Sequence, residues 1–156
     1  MRKLVTLITA ITAIVMAASC SRGERDYSRW QSLPADGWAY GDTLYLLPVD
    51  TGLPDNDTLV RRSLHLGLTH DNDYPYSNVW LEVAYTGSGR RYRYTLNIPL
   101  ADIYGRWLGS GFGSGYQRDV VIVPQADIDL TIPVEVRHVM RLDTLKGIDK
   151  IGILIE

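Results

Sequence analysis

The residues able to do chemistry are few and scattered. Ser114 stands in Gly111-Phe112-Gly113-Ser114-Gly115, but the serine is not the middle residue of a glycine-x-serine-x-glycine run. No helix pattern follows to make a nucleophile elbow. Asp119 is near in sequence, whereas His65, His70 and His138 are dispersed. The glycines from Gly109 to Gly115 match a phosphate-binding loop only in composition. The Lys-Ser/Thr pair and the following helix of a P-loop are absent, so the segment reads as a tight, adaptable loop. His70-Asp71-Asn72-Asp73 and Asp55-Asn56-Asp57 are oxygen-rich, and calcium takes about six to eight oxygens. Neither run has the spacing of an EF-hand loop, and Asp and Asn are ordinary turn residues. The expectation is a protein that is not an enzyme, with no catalytic residues, no metal and no cofactor.

Cys20 is the only cysteine. It has no partner for an internal disulfide, so it needs another role. The residues before it supply one. Arg2 and Lys3 precede an uncharged apolar stretch, Leu4 to Ala18, and then Ala17-Ala18-Ser19-Cys20. A positive start, an apolar core and small residues before a cleavage site form an export leader. The apolar stretch falls short of the ~20 residues a membrane-spanning helix needs. Ala17-Ala18-Ser19-Cys20 is similar to the bacterial lipoprotein signal, in which the cysteine is acylated and becomes the new N-terminus. Several acyl chains anchor stably, since each buried CH₂ contributes about 0.8 kcal/mol. Residues 1–19 are thus read as a leader, 20–30 as lipidated cysteine and polar tether, and 31–156 as the folded domain. Ser21 in place of Asp leans towards the outer membrane. The location expected is the cell membrane or outer membrane, lipid-anchored, with the periplasmic side favoured.

The whole chain carries 16 basic and 18 acidic residues. Loss of residues 1–19 removes only Arg2 and Lys3, which takes the net charge from −2 to −4. That balance excludes a nucleic-acid footprint. The remaining length suits one domain, whose core has no disulfide to support it.

Ten Tyr, four Trp and one Phe suit half-buried sheet positions and binding surfaces alike. The densest patches are Tyr74-Pro75-Tyr76-Ser77-Asn78-Val79-Trp80 and Ile103-Tyr104-Gly105-Arg106-Trp107-Leu108-Gly109. Each reads first as a packed corner. The second reading is an exposed contact for a sugar or a protein, through Tyr74, Tyr76, Trp80, Tyr104, Arg106 and Trp107.

The elements that position these residues are β throughout. Leu64, Leu66 and Leu68 alternate with Ser63, His65 and Gly67. Val79, Leu81, Val83 and Tyr85 alternate with Trp80, Glu82 and Ala84. Tyr92, Tyr94, Leu96 and Ile98 alternate with Arg91, Arg93, Thr95 and Asn97. This period of two marks half-buried strands, and Gly87-Ser88-Gly89 marks the hairpin turn between two of them. Further strands are expected at 43–49, at 116–123 with a stop at Pro124, and at 148–155. A long alternation, Ile128 to Val136, carries Pro133 as an edge or bulge signal. Leu100 to Trp107 is the one stretch suited to a short helix, limited by Gly105 and Gly109. Seven or eight short strands with turn signals between them predict an all-β fold. The architecture is a single-domain antiparallel β-sandwich, with the jelly roll among the paths open to it.

The order of several blocks carries a resemblance. These are Gly37-Trp38, Asp42-Thr43-Leu44, Tyr74-Pro75-Tyr76-Ser77-Asn78-Val79-Trp80-Leu81, Leu100-Ala101-Asp102, Gly105-Arg106-Trp107-Leu108-Gly109-Ser110-Gly111, Met140-Arg141, Leu145-Lys146-Gly147-Ile148 and Ile151-Gly152. Together they resemble the GldH family of gliding-motility lipoproteins, over nearly all the mature chain. The resemblance implies a non-enzymatic envelope lipoprotein that assembles or stabilises the gliding machinery, which is tied to type IX secretion and to moving surface adhesins. Members also occur in relatives that do not glide. Partners would be the membrane, through the N-terminal lipid, and proteins of the motility and secretion complex. The family has no assigned catalytic residues, so Cys20 alone transfers as a functional position. The polar stretch Gly52 to Arg62 departs from the pattern as a lengthened early loop. The rival reading is a glycan- or protein-binding β-sandwich module of the cell envelope.

Overall fold

A computed structural model of the chain describes residues 26–48 and 58–156. The leader, Cys20 and the Asp55-Asn56-Asp57 run lie outside the described residues. Among the described residues, alternating sequences become paired strands, eleven in chain order. They are β1 (Tyr27–Ser32), β2 (Trp38–Ala39), β3 (Leu44–Leu46), β4 (Leu59–Asp71), β5 (Asn78–Gly87), β6 (Arg90–Pro99), β7 (Ser110–Phe112), β8 (Gly115–Asp129), β9 (Val134–His138), β10 (Thr144–Leu145) and β11 (Ile148–Ile155). None of the described residues is helical.

One sheet has the order β1-β11-β4-β8-β7 and the other β3-β9-β5-β6, with β10-β2 as a small ribbon. All pairings are antiparallel. Neither sheet closes into a barrel. Leaving aside the short β2, β7 and β10, successive strands switch sheets at every connection except the β5–β6 hairpin. That is the path of a jelly roll. The hairpin turn is Ser88-Gly89, with φ of 50° and 71°. Positive φ at both central residues matches the right-handed twist of the flanking strands, and Gly supplies one of them without a Cβ penalty.

The core follows the alternation. Leu64, Leu66 and Leu68 of β4 face the interior opposite Ile155, Ile153 and Ile151 of β11. From the other sheet come Val79, Leu81, Val83 and Tyr85 of β5, Val134 and Val136 of β9, and Leu44 and Leu46 of β3. All belong to one buried cluster. The outward positions of β5, β6 and β9 include charged pairs. Arg93 Nη1 and Arg137 Nε lie 2.7 and 2.8 Å from Glu82 Oε1, and Arg91 pairs with Glu135.

Four local expectations change. The strand pairing starts upstream of residue 31, because Tyr27–Ser32 pairs along its whole length with β11. The 128–136 alternation is not one strand. Asp129 ends β8, its carboxylate accepts from Thr131 N and Oγ1, and the chain turns at 130–133 to enter the other sheet as β9. Pro133 is the last residue of that turn. Pro124 does not stop its strand. β8 runs past it through a register shift opposite Ser63, whose hydroxyl donates to Pro124 O at 2.6 Å. A bulge is where a strand tolerates the missing N–H. Finally, part of the glycine-rich loop pairs. Ser110–Phe112 adds to β8 as β7 across a tight turn at Gly113-Ser114.

His138 is buried beside Trp38, ring centroids 5.3 Å apart, and its Nε2 lies 3.1 Å from Trp38 O. Burial pulls its pKa below the ordinary 6.5, and backbone hydrogen bonds and Asp42 oppose this only in part. The folded ring is neutral while the unfolded one protonates, so this contribution to stability is complete above pH 6.5 and declines as pH falls below it. Glu82 is held below 4.5, first by its hydrogen bond from Arg137; its contribution is present above pH 4.5 and lost at lower pH. Urea midpoints measured from pH 8 to 4 should fall first below 6.5, and His138→Gln should flatten that first segment. Leu66→Ala should cost about 2–5 kcal/mol, and Leu59→Ala, half exposed, less than about 0.5 kcal/mol. Equal losses at the two leucines would contradict the burial pattern.

Candidate functional site

Two aromatic blocks meet at one end of the sandwich because β4 delivers the first and β8 receives the second. β4 ends at Asp71, whose Oδ1 accepts from Asp73 N at 3.0 Å and turns the chain. Tyr74 folds back into the core, with its hydroxyl donating to Asn78 O at 3.0 Å. Burial, and then Tyr76, push that hydroxyl's pKa well up, so it stays a neutral donor. Tyr76 packs edge-on to Tyr74, centroids 5.6 Å apart.

His70 is the hub of this corner. It is fully buried, with Trp107 at 4.6 Å, Tyr116 at 5.6 Å and Tyr74 at 5.7 Å between ring centroids. Its Nδ1 lies 2.8 Å from Asp71 O, an acceptor, which places the proton on Nδ1. Nε2 has no partner among the described residues. Trp107 Nε1 donates to Asn72 Oδ1 at 2.9 Å. The blocks are also tied by backbone: Leu100 N and Ala101 N both donate to Ser77 O, at 2.8 and 3.0 Å.

The short helix expected over Leu100 to Trp107 is instead a loop pinched at its neck. Ala101 and Trp107 form an isolated antiparallel bridge, and Leu108 N donates to Leu100 O at 2.7 Å. One carboxylate organises what lies between. Asp102 Oδ1 accepts from Tyr104 N at 2.8 Å and Arg106 N at 2.9 Å, while Oδ2 accepts from Arg106 Nε at 2.8 Å. Asp side chains that capture nearby backbone N–H groups compete with helix, which is why the turn wins. These bonds, first that from the Arg106 backbone, hold the Asp102 carboxyl below its usual range. The loop lifts Ile103 and Tyr104 into solvent, 90% and 77% exposed. The Arg106 guanidinium lies 5.5 Å from the Tyr104 ring centre.

The six sequence-singled aromatic and arginine positions therefore divide. Tyr74, Tyr76 and Trp107 pack the corner. Tyr104 and Arg106 form the exposed tip beside it. Trp80 stands apart on the outer face of the four-stranded sheet, with its backbone N 3.4 Å from the Met140 sulfur. Sequence reasoning placed Ile103 in its block without singling it out, and passed over the hub role of His70. The Asp102-x-x-Gly105 spacing, an Asx-turn signature, was the available signal for the loop. Ser114 lies at an exposed hairpin tip. No three His, Cys, Asp or Glu side chains among the described residues converge to hold a metal.

The fold and this corner define an all-β jelly-roll domain with an aromatic end that projects an exposed, hydrogen-bonded apolar tip. Comparison with known proteins then gives the family. The profile of the GldH lipoprotein family matches residues 25–155, and the chain belongs to that family. It is 26% identical over 167 aligned positions to the gliding motility lipoprotein GldH homolog of Christiangramia forsetii, covering all of this chain and 98% of that protein. Membership places the chain among the membrane-associated envelope lipoproteins of gliding motility.

Trp107→Ala should cost about 3 kcal/mol, the lower end of the range for aromatic truncation, because the indole is only partly buried. Tyr104→Ala should cost less than about 0.5 kcal/mol. Urea melts of the two variants check this; a Trp107→Ala protein that melts like the parent would remove Trp107 from the packed corner.

Proposed function

We propose that this chain is a non-enzymatic lipoprotein of the gliding-motility and type IX secretion machinery. It is held by acyl chains on Cys20 at the periplasmic face of a membrane, with the outer membrane favoured by Ser21, and it assembles or stabilises the complex through its Ile103–Tyr104 tip. The observation that carries the reading is that tip. Folding gives no reason to expose two adjacent large apolar side chains on a loop that one carboxylate pins at three points. Tyr and Arg are favoured anchors at protein contacts, and a loop already held in shape loses little freedom on docking.

The tether supports the same reading. Residues 21–26 separate Cys20 from β1, so a fully extended chain reaches at most ~25 Å from the lipid. The Tyr27 end of β1 pairs beside Ile155, and Ile155 beside Leu64. The aromatic corner lies at the other end of β4, beyond Asp71. Seven residues of strand separate Leu64 from Asp71, about 23 Å at ~3.3 Å per residue. An anchor at Cys20 would thus hold the Tyr27 end near the bilayer and present the Ile103–Tyr104 tip away from it.

A photo-crosslinking residue placed at Tyr104 in intact envelopes should give one discrete adduct with a motility or secretion component, and the same residue at exposed Ile132 should not. Asp102→Ala should weaken that adduct at least threefold with unchanged melting, because it frees the loop without touching the core. Absence of a discrete adduct at Tyr104 would sink the docking role. Cys20→Ala should abolish acyl labelling and release the protein from membranes; unchanged labelling and retention would sink the anchor.

A further inference from the structure

The opposite face of the five-stranded sheet carries a second feature that the aromatic corner does not explain. Trp30 projects from edge strand β1 and lies across the sheet. Its row of paired residues is Trp30, Gly152, Gly67 and Asp119, on β1, β11, β4 and β8 in turn. A Cβ on Gly152 would come within 2.6 Å of both Cε2 and Cε3 of the indole, with Cδ2 nearer still. One on Gly67 would sit 2.5 Å from Cη2 and 2.8 Å from Cζ2. Contact centred on a ring-fusion atom places the glycine beneath the ring rather than at its edge. The indole therefore lies flat on two glycines. It remains 37% exposed, which leaves its other face to solvent.

Polar groups stand at the ring's rim. Asp119 Oδ1 would be 2.6 Å from a Cβ on Gly67, so the carboxylate borders the indole. Gln117 Nε2 donates to Asp119, 3.0 Å from Oδ2. Beside them opens a groove of about 440 Å³ lined by Trp30, Thr69, Ser114, Gln117, Asp149 and Lys150. Small-molecule sites commonly enclose about 300–1,000 Å³ with a few placed polar groups. Thr69 Oγ1 in this groove is buried with no hydrogen-bond partner among the described residues.

We propose that this groove binds a carbohydrate, with one hexopyranose ring stacked on the open face of Trp30 and its hydroxyls bonded to Asp119 and Gln117. The chemistry selects this class. A flat π-face bordered by a carboxylate and an amide matches a sugar's apolar C–H face ringed by hydroxyl donors. An extended peptide would add along the free edge of β1, whereas the open face of the indole lies over Gly152 and Gly67 of β11 and β4, strands paired on both sides. Two carboxylates, Asp119 and Asp149, against the one ammonium of Lys150 disfavour an anion. Covering glycines with an aromatic ring also stabilises a sheet; that role accounts for the buried face of Trp30 and not for the polar rim beside its open one. The proposal stands on a different face from the Ile103–Tyr104 tip and does not depend on its role.

The test uses the full lipidated chain in a zwitterionic detergent without sugar headgroups. Cellohexaose, maltohexaose and the hexamer of N-acetylglucosamine are titrated to about 10 mM, above the millimolar affinity typical of weak recognition, while the Trp30 indole N–H resonance is followed. At least one probe should shift that resonance saturably. Trp30→Ala should weaken binding at least tenfold. Because Trp30→Ala also uncovers Gly67 and Gly152, Gln117→Ala serves as the second variant and should weaken binding at least threefold with unchanged melting. No shift with any of the three probes would overturn the proposal, as would binding indifferent to both variants. Loss of an envelope protein adduct in Trp30→Ala, without sugar binding by the parent, would make the face a protein contact and equally overturn it.

Discussion

The register of β4 is the constraint on which the rest of the molecule depends. This thirteen-residue strand pairs with β11 on one side and β8 on the other. Its inner face supplies Leu64, Leu66, Leu68 and His70. Its outer face supplies Gly67 and Thr69. A slip of one residue would exchange the two faces. The leucines would go to water, and the glycine that admits the Trp30 indole would be replaced by a side chain that collides with it. His70 would leave the aromatic corner, and Trp107 would lose the ring nearest to it. Core, corner and indole platform are three consequences of one pairing.

With no cysteine available beyond Cys20, the domain depends on packing between its two sheets. Burial of aliphatic surface stabilises it by roughly 25 cal/mol per Å², and that term is spread over both sheets in a single cluster. The polar groups that enter this interior are few. His138 is held by Trp38 O, and the Tyr74 hydroxyl by Asn78 O. On the outside of the four-stranded sheet, the Glu82, Arg93 and Arg137 cluster and the Arg91–Glu135 pair keep a flat surface charged. Arginines along β6, an edge strand, also disfavour pairing with other chains.

Aromatic residues serve two physical purposes here, and position in the fold separates them. Trp38, Tyr74 and Tyr85 are buried; their size fills the ends and middle of the sandwich. Trp30 and Tyr104 keep a large fraction of their rings in solvent while the backbone beneath them is held firmly. The Trp30 ring is fixed by the glycines packed beneath it, and the backbone that carries Tyr104 is fixed by an Asx turn.

The strands were legible in the sequence because the inward positions of β4, β5, β6 and β11 repeat every second residue, and burial on one face leaves that trace. The β5–β6 hairpin was legible for a similar reason, since Ser88-Gly89 is a local turn. The resemblance that led to the family was also carried by residues in order along the chain. Other features left no such trace. The passage of 128–136 from one sheet to the other is invisible to a period-two pattern, because both halves bury alternate residues. Asp102 turned a helix-like stretch into a loop through bonds to its own neighbours, a local signal outweighed by the apolar spacing around it. The candidate surfaces needed the tertiary structure most. Nothing near Trp30 in the chain shows that Gly67 and Gly152 lie beneath it, and nothing near Trp107 shows that the His70 ring packs against it. Alternation by itself determined which residues face inward; only the order of strands in the sheets decided which residues meet, because pairing joins segments that the chain keeps far apart.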